Sequence, residues 1–297
     1  MLFFLLFQVE KSSAQEQLPL SKNGNIKSIT AIECSELKDI LKSEIYKNPT
    51  WKKLIQNKKM AIGIVDLSDP NKPKYAGLND QYMMYAASLP KIAVLYAVMD
   101  AIEKGEIKET PAIKKDLRLM ISKSNNAAAT RMIDLVGFDR IEATLQNAEP
   151  KLYDESCGGG LWCGKRYGSG GGKSPDPMKG LSHAATTLQV CNFYYLLTYG
   201  ELINKKRSAE MLSYLKDPEL THKFVNTLQI IAPNATIYRK SGSWKSYHSD
   251  SVLVWGPNRK YVLVALIDNS GGEQIIRSLV KPLEAVIEKS KNLSCSN

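Results

Sequence analysis

Three short motifs in this chain hold serine and lysine residues at spacings suited to acyl transfer. In chain order they are Ser88-Leu89-Pro90-Lys91, Ser124-Asn125-Asn126 and Lys240-Ser241-Gly242. A serine hydroxyl is a poor nucleophile near neutral pH and needs a nearby base. Because a lysine three residues after a serine on a helix projects from the same face, Lys91 is expected to lie beside Ser88. Together the motifs predict a serine nucleophile that is activated without a catalytic histidine.

The residues around Ser88 predict a buried helix over residues 88–106 that begins at the serine. Ser88 is a good N-cap, Pro90 is tolerated in the first turn, and residues 92–99 are apolar on nearly every face. Free N–H groups at a helix start favour a developing oxyanion. Burial would also lower the pKa of Lys91 enough for it to act as a base. The competing interpretation is that the motif only caps a helix.

The second motif forms a polar corner between two segments that are expected to be helical, residues 117–121 and 127–136. Such a corner can present the Ser124 hydroxyl as a proton shuttle. It can also present the Asn126 side chain as a hydrogen-bond partner for an amide. The competing interpretation is an ordinary helix N-cap.

The third motif follows a β-prone stretch, residues 235–238, and precedes two further apolar stretches. An edge strand at this place would offer the Lys240 side chain to a carboxylate. The same strand would offer the backbone N–H of Ser243 to an oxyanion. The competing interpretation is a lysine on a solvated strand.

In these motifs and their flanking segments the chain resembles the class A β-lactamases and the wider group of penicillin-recognising serine enzymes, whose signatures are S-x-x-K, S-D-N and K-T-G. The resemblance implies that Ser88 is the acylated nucleophile, Lys91 its activating base and Ser124 a relay that protonates the leaving nitrogen. It also implies an oxyanion hole formed by the backbone N–H groups of Ser88 and Ser243. The substrate-binding residues that it implies are Asn126, Lys240, Ser241, Gly242 and Ser243.

The chain departs from the family pattern in ways that bear on hydrolysis. Asn125 replaces the aspartate of S-D-N, and Ser241 replaces the threonine of K-T-G. The E-x-x-L-N motif, whose glutamate activates the deacylating water in class A enzymes, is missing from the loop expected to carry it. Nine of the chain's 19 glycines lie in this loop, between positions 158 and 180, so backbone shape dominates it. The sequence offers only weak replacements for the glutamate, namely Glu149, Asp154 and Glu155.

Three functions are compatible with these motifs. The first is an exported serine acyl-transfer hydrolase that opens β-lactam amides through a Ser88 acyl-enzyme. The second is a D,D-peptidase or esterase that applies the same groups to acyl-D-Ala-D-Ala peptides or other acyl substrates. The third is a penicillin-binding sensor or trap that is acylated and turns over slowly, which the missing glutamate favours.

The N-terminal residues and the cysteines indicate an exported protein, periplasmic or secreted. Residues 1–14 resemble a signal peptide without its usual basic start, as in a truncated or misassigned N-terminus. Export permits disulfides, and the family fold implies a pair between Cys34 and Cys295, which flank the first and last helices. A disulfide between Cys157 and Cys163 would restrain the glycine-rich loop. A zinc site is the alternative for this second pair.

Composition favours one globular domain over residues 15–297. The chain has 297 residues, of which 43% are hydrophobic, and a formal net charge of +10. The positive charge indicates a solvated basic surface, or attraction to carboxylate substrates or anionic envelope polymers. We expect a monomer that needs no cofactor or metal. The sequence contains no module for nucleic acid and no stretch long enough to span a membrane.

The order of the segments predicts an α/β fold of the α+β sandwich type. An antiparallel sheet would be flanked by the N- and C-terminal helices, with an all-α lobe inserted and the active site between the lobes. The helical lobe would span about 88–185, and the α/β lobe about 26–87 plus 186–297. The elements predicted outside the helical lobe are a helix over 35–56, a strand over 60–67, an apolar helix over 190–197, strands near 236–244, 250–255 and 261–267, and a helix over 273–291.

Overall fold

The structure, a computed structural model, describes residues 17–20, 26–147, 150–168 and 170–295. The signal peptide predicted over residues 1–14 lies outside these ranges. None of the helices within them combines the length and the apolar character that a membrane span requires.

Helices and strands follow one another along the described residues in a mixed order. The helices are α1 (Ser35–Tyr46), α2 (Pro49–Gln56), α3 (Lys91–Glu103), α4 (Pro111–Ser122), α5 (Asn126–Val136), α6 (Phe138–Asn147), α7 (Thr187–Tyr199), α8 (Lys205–Leu215), α9 (Phe224–Ile231) and α10 (Gly272–Ser290). The strands are β1 (Met60–Asp66), β2 (Lys74–Leu78), β3 (Met84–Tyr85), β4 (Tyr153–Asp154), β5 (Gly159–Gly160), β6 (Trp162–Cys163), β7 (His183–Ala185), β8 (Thr236–Trp244), β9 (Tyr247–Gly256) and β10 (Arg259–Asp268).

The main sheet is antiparallel, and its described strands lie in the order β2-β1-β10-β9-β8. All residues of β1 are buried, because both faces of the sheet are covered. The protein has a hydrophobic core on each face of this sheet, and alternate residues of β1 point to different cores. Ile62 and Ile64 pack with the terminal helices α1 and α10, whereas Ala61 and Val65 pack toward α7 and the helical lobe. The third motif lies on β8 at the edge of this sheet, as predicted.

The helical lobe is built around α3. Every residue from Lys91 to Ile102 is buried, because α4, α5, α6 and α8 all pack against this helix. This all-round burial explains why its sequence is apolar on nearly every face. The mixed fold class predicted from the sequence, an antiparallel sheet with flanking helices and a helical insertion, is confirmed.

The predicted helix over residues 35–56 is two helices, α1 and α2. Pro49 has no N–H with which to continue α1. The Asn48 side chain instead caps α2, and its Oδ1 accepts hydrogen bonds from the N–H groups of Thr50 and Trp51 at 3.0 and 3.2 Å. Helices α8 and α9 were not predicted from the sequence, so the C-terminal half is more helical than expected.

A disulfide joins Cys34 and Cys295, as the family resemblance implied, with 5.6 Å between their Cα atoms. Cys34 precedes α1 and Cys295 follows α10, and these two helices pack against each other. The bond therefore links the start and the end of the described fold on one side of the main sheet.

Candidate active site

Ser88 lies in a turn just before α3 and is not its N-cap, which corrects the predicted helix start. The helix begins at Lys91, with Pro90 at its cap position. Ala87 has a φ of 51°, a left-handed conformation that turns the chain immediately before the serine. Ser88 is half-buried, and its hydroxyl forms no hydrogen bond with any residue that the structure describes. The hydroxyl is thus available to a molecule in the cleft.

The Lys91 side chain is buried at the first turn of α3 and meets the start of α5. Its Nζ donates hydrogen bonds to the Ser124 carbonyl oxygen at 2.6 Å and to Asn126 Oδ1 at 2.8 Å, and lies 3.3 Å from the Ser124 hydroxyl oxygen. Burial lowers the pKa of Lys91 to about 7. A neutral amine keeps two N–H donors for the two shorter contacts and gains a lone pair. Lys91 can therefore take up a proton near neutral pH.

The second motif forms the corner between α4 and α5, as predicted. Ser124 has a left-handed φ of 54°, and both its carbonyl and its hydroxyl oxygens contact Lys91. Asn125 caps α5, because its Oδ1 accepts a hydrogen bond from the Ala128 N–H at 2.8 Å. An uncharged amide therefore makes this cap at the position where the family pattern has aspartate.

Lys240 reaches the same corner from β8. Its Nζ donates hydrogen bonds to the Ser124 hydroxyl oxygen at 2.9 Å and to the Ser241 carbonyl oxygen at 2.6 Å. The side chain is only 1% exposed, which excludes the alternative of a solvated strand lysine. Burial, together with the positive charge of Lys91, lowers the pKa of Lys240 well below its ordinary value. A bound carboxylate would offset this repulsion and stabilise the Lys240 ammonium.

Gly242 brings β8 against the backbone around Ser88. A Cβ atom at this position would lie 2.4 Å from the Ala86 carbonyl oxygen and 2.5 Å from the Ser88 nitrogen. The hydroxyl of Ser249 on β9 donates to the same Ala86 oxygen at 2.7 Å and fixes the approach. Ser88 and Ser243 thus lie on adjoining segments and both line the cleft, and the oxyanion hole between their N–H groups stays a prediction. Ser241, between Lys240 and Gly242, is buried.

Lys223 is a buried lysine that sequence reasoning missed. It precedes α9, and its Nζ donates hydrogen bonds to the carbonyl oxygens of Gly242 and Ser249 at 2.6 and 3.0 Å and to the Ser243 hydroxyl at 2.8 Å. Burial lowers the pKa of Lys223 to about 8. No motif connects this position with the third motif, so only the tertiary structure identifies it as a support for β8.

Tyr167, in the glycine-rich loop, covers Lys91. The centre of its ring lies 4.4 Å from Lys91 Nζ, and its hydroxyl donates to the Ala87 carbonyl oxygen at 3.2 Å. Burial raises the pKa of Tyr167 well above its ordinary value, so the hydroxyl remains a donor. The loop in which the family has its glutamate thus contributes an aromatic ring beside Lys91. An isolated tyrosine among glycines gave no sequence signal for this role.

The predicted disulfide between Cys157 and Cys163 is not formed, and both residues are free thiols. Cys163 lies on β6, where its Sγ is buried 4.0 Å from the Tyr167 hydroxyl. Cys157 ends a 3-10 turn and lies 3.9 Å from the Ser156 hydroxyl. Because the two thiols have different neighbours on different elements, the loop is shaped by strand pairing rather than by a covalent bond.

Ser88 and Tyr167 line a cleft of about 600 Å³. The other residues that line it are Tyr85, Ala87, Asn126, Lys165, Arg166, Gly168, Leu181, Ser182, His183, Ser243, Trp244, Lys245 and Tyr247. Asp and Glu are absent from this set of described residues. Asp154 accepts a hydrogen bond from the N–H of its neighbour Ser156, and Glu155 is exposed. Glu149 lies outside the described residues.

His183 lines the cleft with both ring nitrogens in contact with protein groups. Nε2 lies 2.9 Å from the Lys165 carbonyl oxygen, and Nδ1 lies 3.1 Å from the Ser182 hydroxyl. Burial lowers the pKa of His183 to about 4. In the described ranges, the His, Cys, Asp and Glu side chains close enough to share a metal ion are Cys34, Glu36 and Cys295. The sulfur atoms of Cys34 and Cys295 are already joined in the disulfide, so they are not thiolate ligands for a metal ion.

Solved structures of two β-lactamases and of PBP-A share the fold. The β-lactamase from Sphaerobacter thermophilus matches with 20% identity and a TM-score of 0.60, covering 77% of this chain and 92% of that one. A class A β-lactamase from Bacteroides cellulosilyticus matches with 16% identity and a TM-score of 0.63, covering 85% and 99%. The structure of PBP-A matches with 18% identity and a TM-score of 0.61, covering 86% and 97%.

A sequence comparison identifies the family directly. No curated protein matches the chain. The model of the beta-lactamase enzyme family, however, matches residues 49–116 and 108–285, which is well over half of the chain. This region contains all three motifs and the strands and helices that bring them together. The chain therefore belongs to the beta-lactamase enzyme family and is a hydrolase of the β-lactamase fold.

Proposed function

We propose that this protein is an exported, monomeric serine acyl-transfer hydrolase in which β-lactam amides acylate Ser88. The observation that carries the proposal is the position of the Ser124 hydroxyl oxygen, 2.9 Å from Lys240 Nζ and 3.3 Å from Lys91 Nζ. The base and the cation for a carboxylate then meet at the proton relay Ser124. Lys91 is joined to the Ser88 turn through its backbone N–H, which donates to the Ser88 carbonyl oxygen at 3.3 Å. Membership of the family and the Cys34–Cys295 disulfide support export to the periplasm or beyond.

Acylation would use these groups in sequence. Ser88 Oγ forms a bond to the lactam carbonyl carbon while its proton passes to the neutral Nζ of Lys91. The backbone N–H groups of Ser88 and Ser243 stabilise the oxyanion. As the carbon–nitrogen bond breaks, the Ser124 hydroxyl gives its proton to the leaving nitrogen and receives one from Lys91. The products of this step are an ester at Ser88 and a neutral Lys91.

The substrate carboxylate would bind at β8. Lys240 supplies the positive charge, with Ser241 beside it. Lys223 donates a hydrogen bond to the Ser243 hydroxyl oxygen at 2.8 Å, which leaves the proton of that hydroxyl for an acceptor in the cleft. Asn126, which binds Lys91 through Oδ1, keeps its amide N–H groups for the substrate.

Hydrolysis of the ester requires an activated water molecule, and here the site differs from the class A pattern. The described residues that line the cleft include no carboxylate, and Tyr167 covers Lys91. Lys91 is then the remaining base, and we propose that deacylation is slower than acylation. The same observation favours a second function, a D,D-peptidase or slowly turning over penicillin-binding protein. In support, a point mutant of PBP-A, 17% identical to this chain, was solved as an acyl-enzyme complex with penicillin G.

Intact-protein mass spectrometry after mixing with benzylpenicillin tests the proposal, with Ser88→Ala as the control. A transient adduct with release of the opened lactam supports the hydrolase. A stable adduct supports the penicillin-binding protein, and the absence of any adduct contradicts acylation altogether. Release of D-alanine from an acyl-D-Ala-D-Ala peptide by the wild-type protein, and not by Ser88→Ala, would support the peptidase.

A further inference from the structure

The described residues that line the cleft include three cationic side chains and no acidic side chain. Lys165 and Arg166 belong to the glycine-rich loop, and Lys245 to the turn between β8 and β9. Arg166 forms an ion pair with Asp134, which neutralises it. Within the described part of the chain, Lys165 and Lys245 form no ion pair. Their charges are therefore available to a ligand.

Both lysines lie on backbone that the fold holds in place. The Lys165 carbonyl oxygen accepts a hydrogen bond from Nε2 of the buried His183 at 2.9 Å. Lys245 lies in the two-residue connection between Trp244 and Tyr247, which are paired across the hairpin, and has a left-handed φ of 52°. A tight turn of this kind fixes where the side chain begins. The two charges thus belong to two separate segments that both line the cleft.

Aromatic side chains line the same cleft as these two lysines. Tyr85 and Tyr247 pack edge to face, with 5.2 Å between their ring centres. Trp244 is 57% exposed although it is a large apolar residue, and it also lines the cleft. Such surfaces suit a planar group of a ligand. A ligand that fits this rim therefore combines a planar group with negative charge.

The rim lysines are distinct from the cation assigned to the substrate carboxylate. Lys240 is buried and contacts Ser124 at the base of the site, whereas Lys165 is half-buried and Lys245 is exposed at the rim. A carboxylate bound to Lys240 at the base of the site therefore leaves the charges of Lys165 and Lys245 for a second anionic group. We infer that this cleft selects acyl donors with a second anionic group on an aromatic acyl side chain. The inference rests on the proposed acylation of Ser88.

Three penicillins with one skeleton test this selectivity. Benzylpenicillin has hydrogen at the α-carbon of its acyl side chain, carbenicillin has a carboxylate there, and ampicillin has an ammonium group. The second-order rate of acylation of the full chain is measured by mass spectrometry at about pH 6.5, below the ordinary pKa of an α-amino group. We expect carbenicillin to exceed ampicillin by roughly tenfold, with benzylpenicillin between them, because an exposed charge pair is worth about two- to fivefold and the attraction of one ligand adds to the repulsion of the other.

Charge variants connect the selectivity to the rim. The double variant Lys165→Ala/Lys245→Ala should reduce the ratio of carbenicillin to ampicillin to about twofold or less, and Lys245→Glu should favour ampicillin. Lys281→Ala, which removes an exposed charge on α10, is the control and should leave the ratio unchanged. An equal drop in Lys281→Ala would show that the net charge of the surface, and not the rim, causes the preference.

The outcomes separate this inference from the proposed function. If benzylpenicillin acylates Ser88 and the three penicillins react at similar rates, the inferred selectivity for an anionic side chain is wrong and the proposed function stands. If the double variant keeps the wild-type ratio, the rim lysines do not recognise the anion. If none of the three forms an adduct, the proposed function fails first. Thermal unfolding of each variant confirms that the comparison is made on folded protein.

Discussion

The ring of Tyr167 lies over the amine of Lys91, with 4.4 Å between Nζ and the ring centre. Lys91 is the base that the proposed acylation uses, and Tyr167 lies in the loop where class A enzymes carry a glutamate. The aromatic face of Tyr167 attracts the protonated amine of Lys91. Unlike a glutamate, however, the ring cannot accept a proton from water. The contact thus agrees with the proposal that acylation of Ser88 is faster than deacylation.

Replacing Tyr167 with serine should accelerate deacylation. The smaller side chain opens space for water beside Lys91 and leaves the amine uncovered. We expect the acyl-enzyme to decay about tenfold faster, which corresponds to about 1.4 kcal/mol in the barrier. The measurement is the loss of the benzylpenicillin adduct in intact-mass spectra after excess ligand has been removed.

The control is Tyr167→Phe, which keeps the ring and removes the hydroxyl that donates to the Ala87 carbonyl oxygen and lies 4.0 Å from Cys163 Sγ. Its adduct should decay at the wild-type rate, while the protein loses about 1 kcal/mol of unfolding free energy. Equal decay rates in the serine and phenylalanine variants would mean that the ring does not limit access of water.

The rate of acylation should rise with pH around the pKa of Lys91. Burial lowers this pKa to about 7, and only the neutral amine can accept the Ser88 proton. The rate is therefore small below that pH and levels off above it. Asn126→Asp places a carboxylate at the contact of 2.8 Å from Nζ, which favours the ammonium form and moves the midpoint to higher pH. Stopped-flow acylation between pH 5 and 9 measures both curves, and a flat wild-type curve would exclude Lys91 as the base.

The local sequence predicted where the second and third motifs lie in the fold, because each has a recognisable structural context. Asn125 and its neighbours form a helix corner through capping, and the β-prone stretch around Lys240 forms an edge strand. The helix start at Ser88 was misplaced because the left-handed Ala87 and the turn before Lys91 depend on contacts with the sheet.

Residues that act through tertiary contacts could not be predicted in this way. Lys223 braces Gly242 and Ser243 from another element, and a lysine before a short helix has no pattern of its own. Tyr167 reaches Lys91 because the glycine-rich loop folds back as short paired strands. The two free cysteines of that loop suggested a disulfide from spacing alone, but strand pairing separates their surroundings.

Gly242→Ala should strongly reduce acylation. The new Cβ atom would lie 2.4 Å from the Ala86 carbonyl oxygen and 2.5 Å from the Ser88 nitrogen, so β8 or the Ser88 turn must move. Displacing one donor of an oxyanion hole lowers rates by roughly 100- to 1,000-fold. The matched control is Gly172→Ala, since a Cβ atom there meets nothing within 4 Å. Similar acylation rates for both variants would argue against an oxyanion hole between Ser88 and Ser243.

Loss of the Cys34–Cys295 disulfide should destabilise the protein without changing its chemistry. The bond closes a loop with a sequence separation of 261, so its removal releases a large part of the unfolded chain from a constraint. Cys295→Ser should lower the free energy of unfolding by roughly 2–5 kcal/mol. Cys295 is the better partner to replace, because the Cys34 sulfur also accepts a hydrogen bond from the Leu37 N–H at the start of α1.

Chemical denaturation measures the effect, and Cys157→Ser, which removes a free thiol, is the control. A reducing agent should lower the stability of wild-type protein to that of Cys295→Ser and leave the variant itself unchanged. Equal stability of wild type and variant under oxidising conditions would show that the bond contributes nothing to the fold.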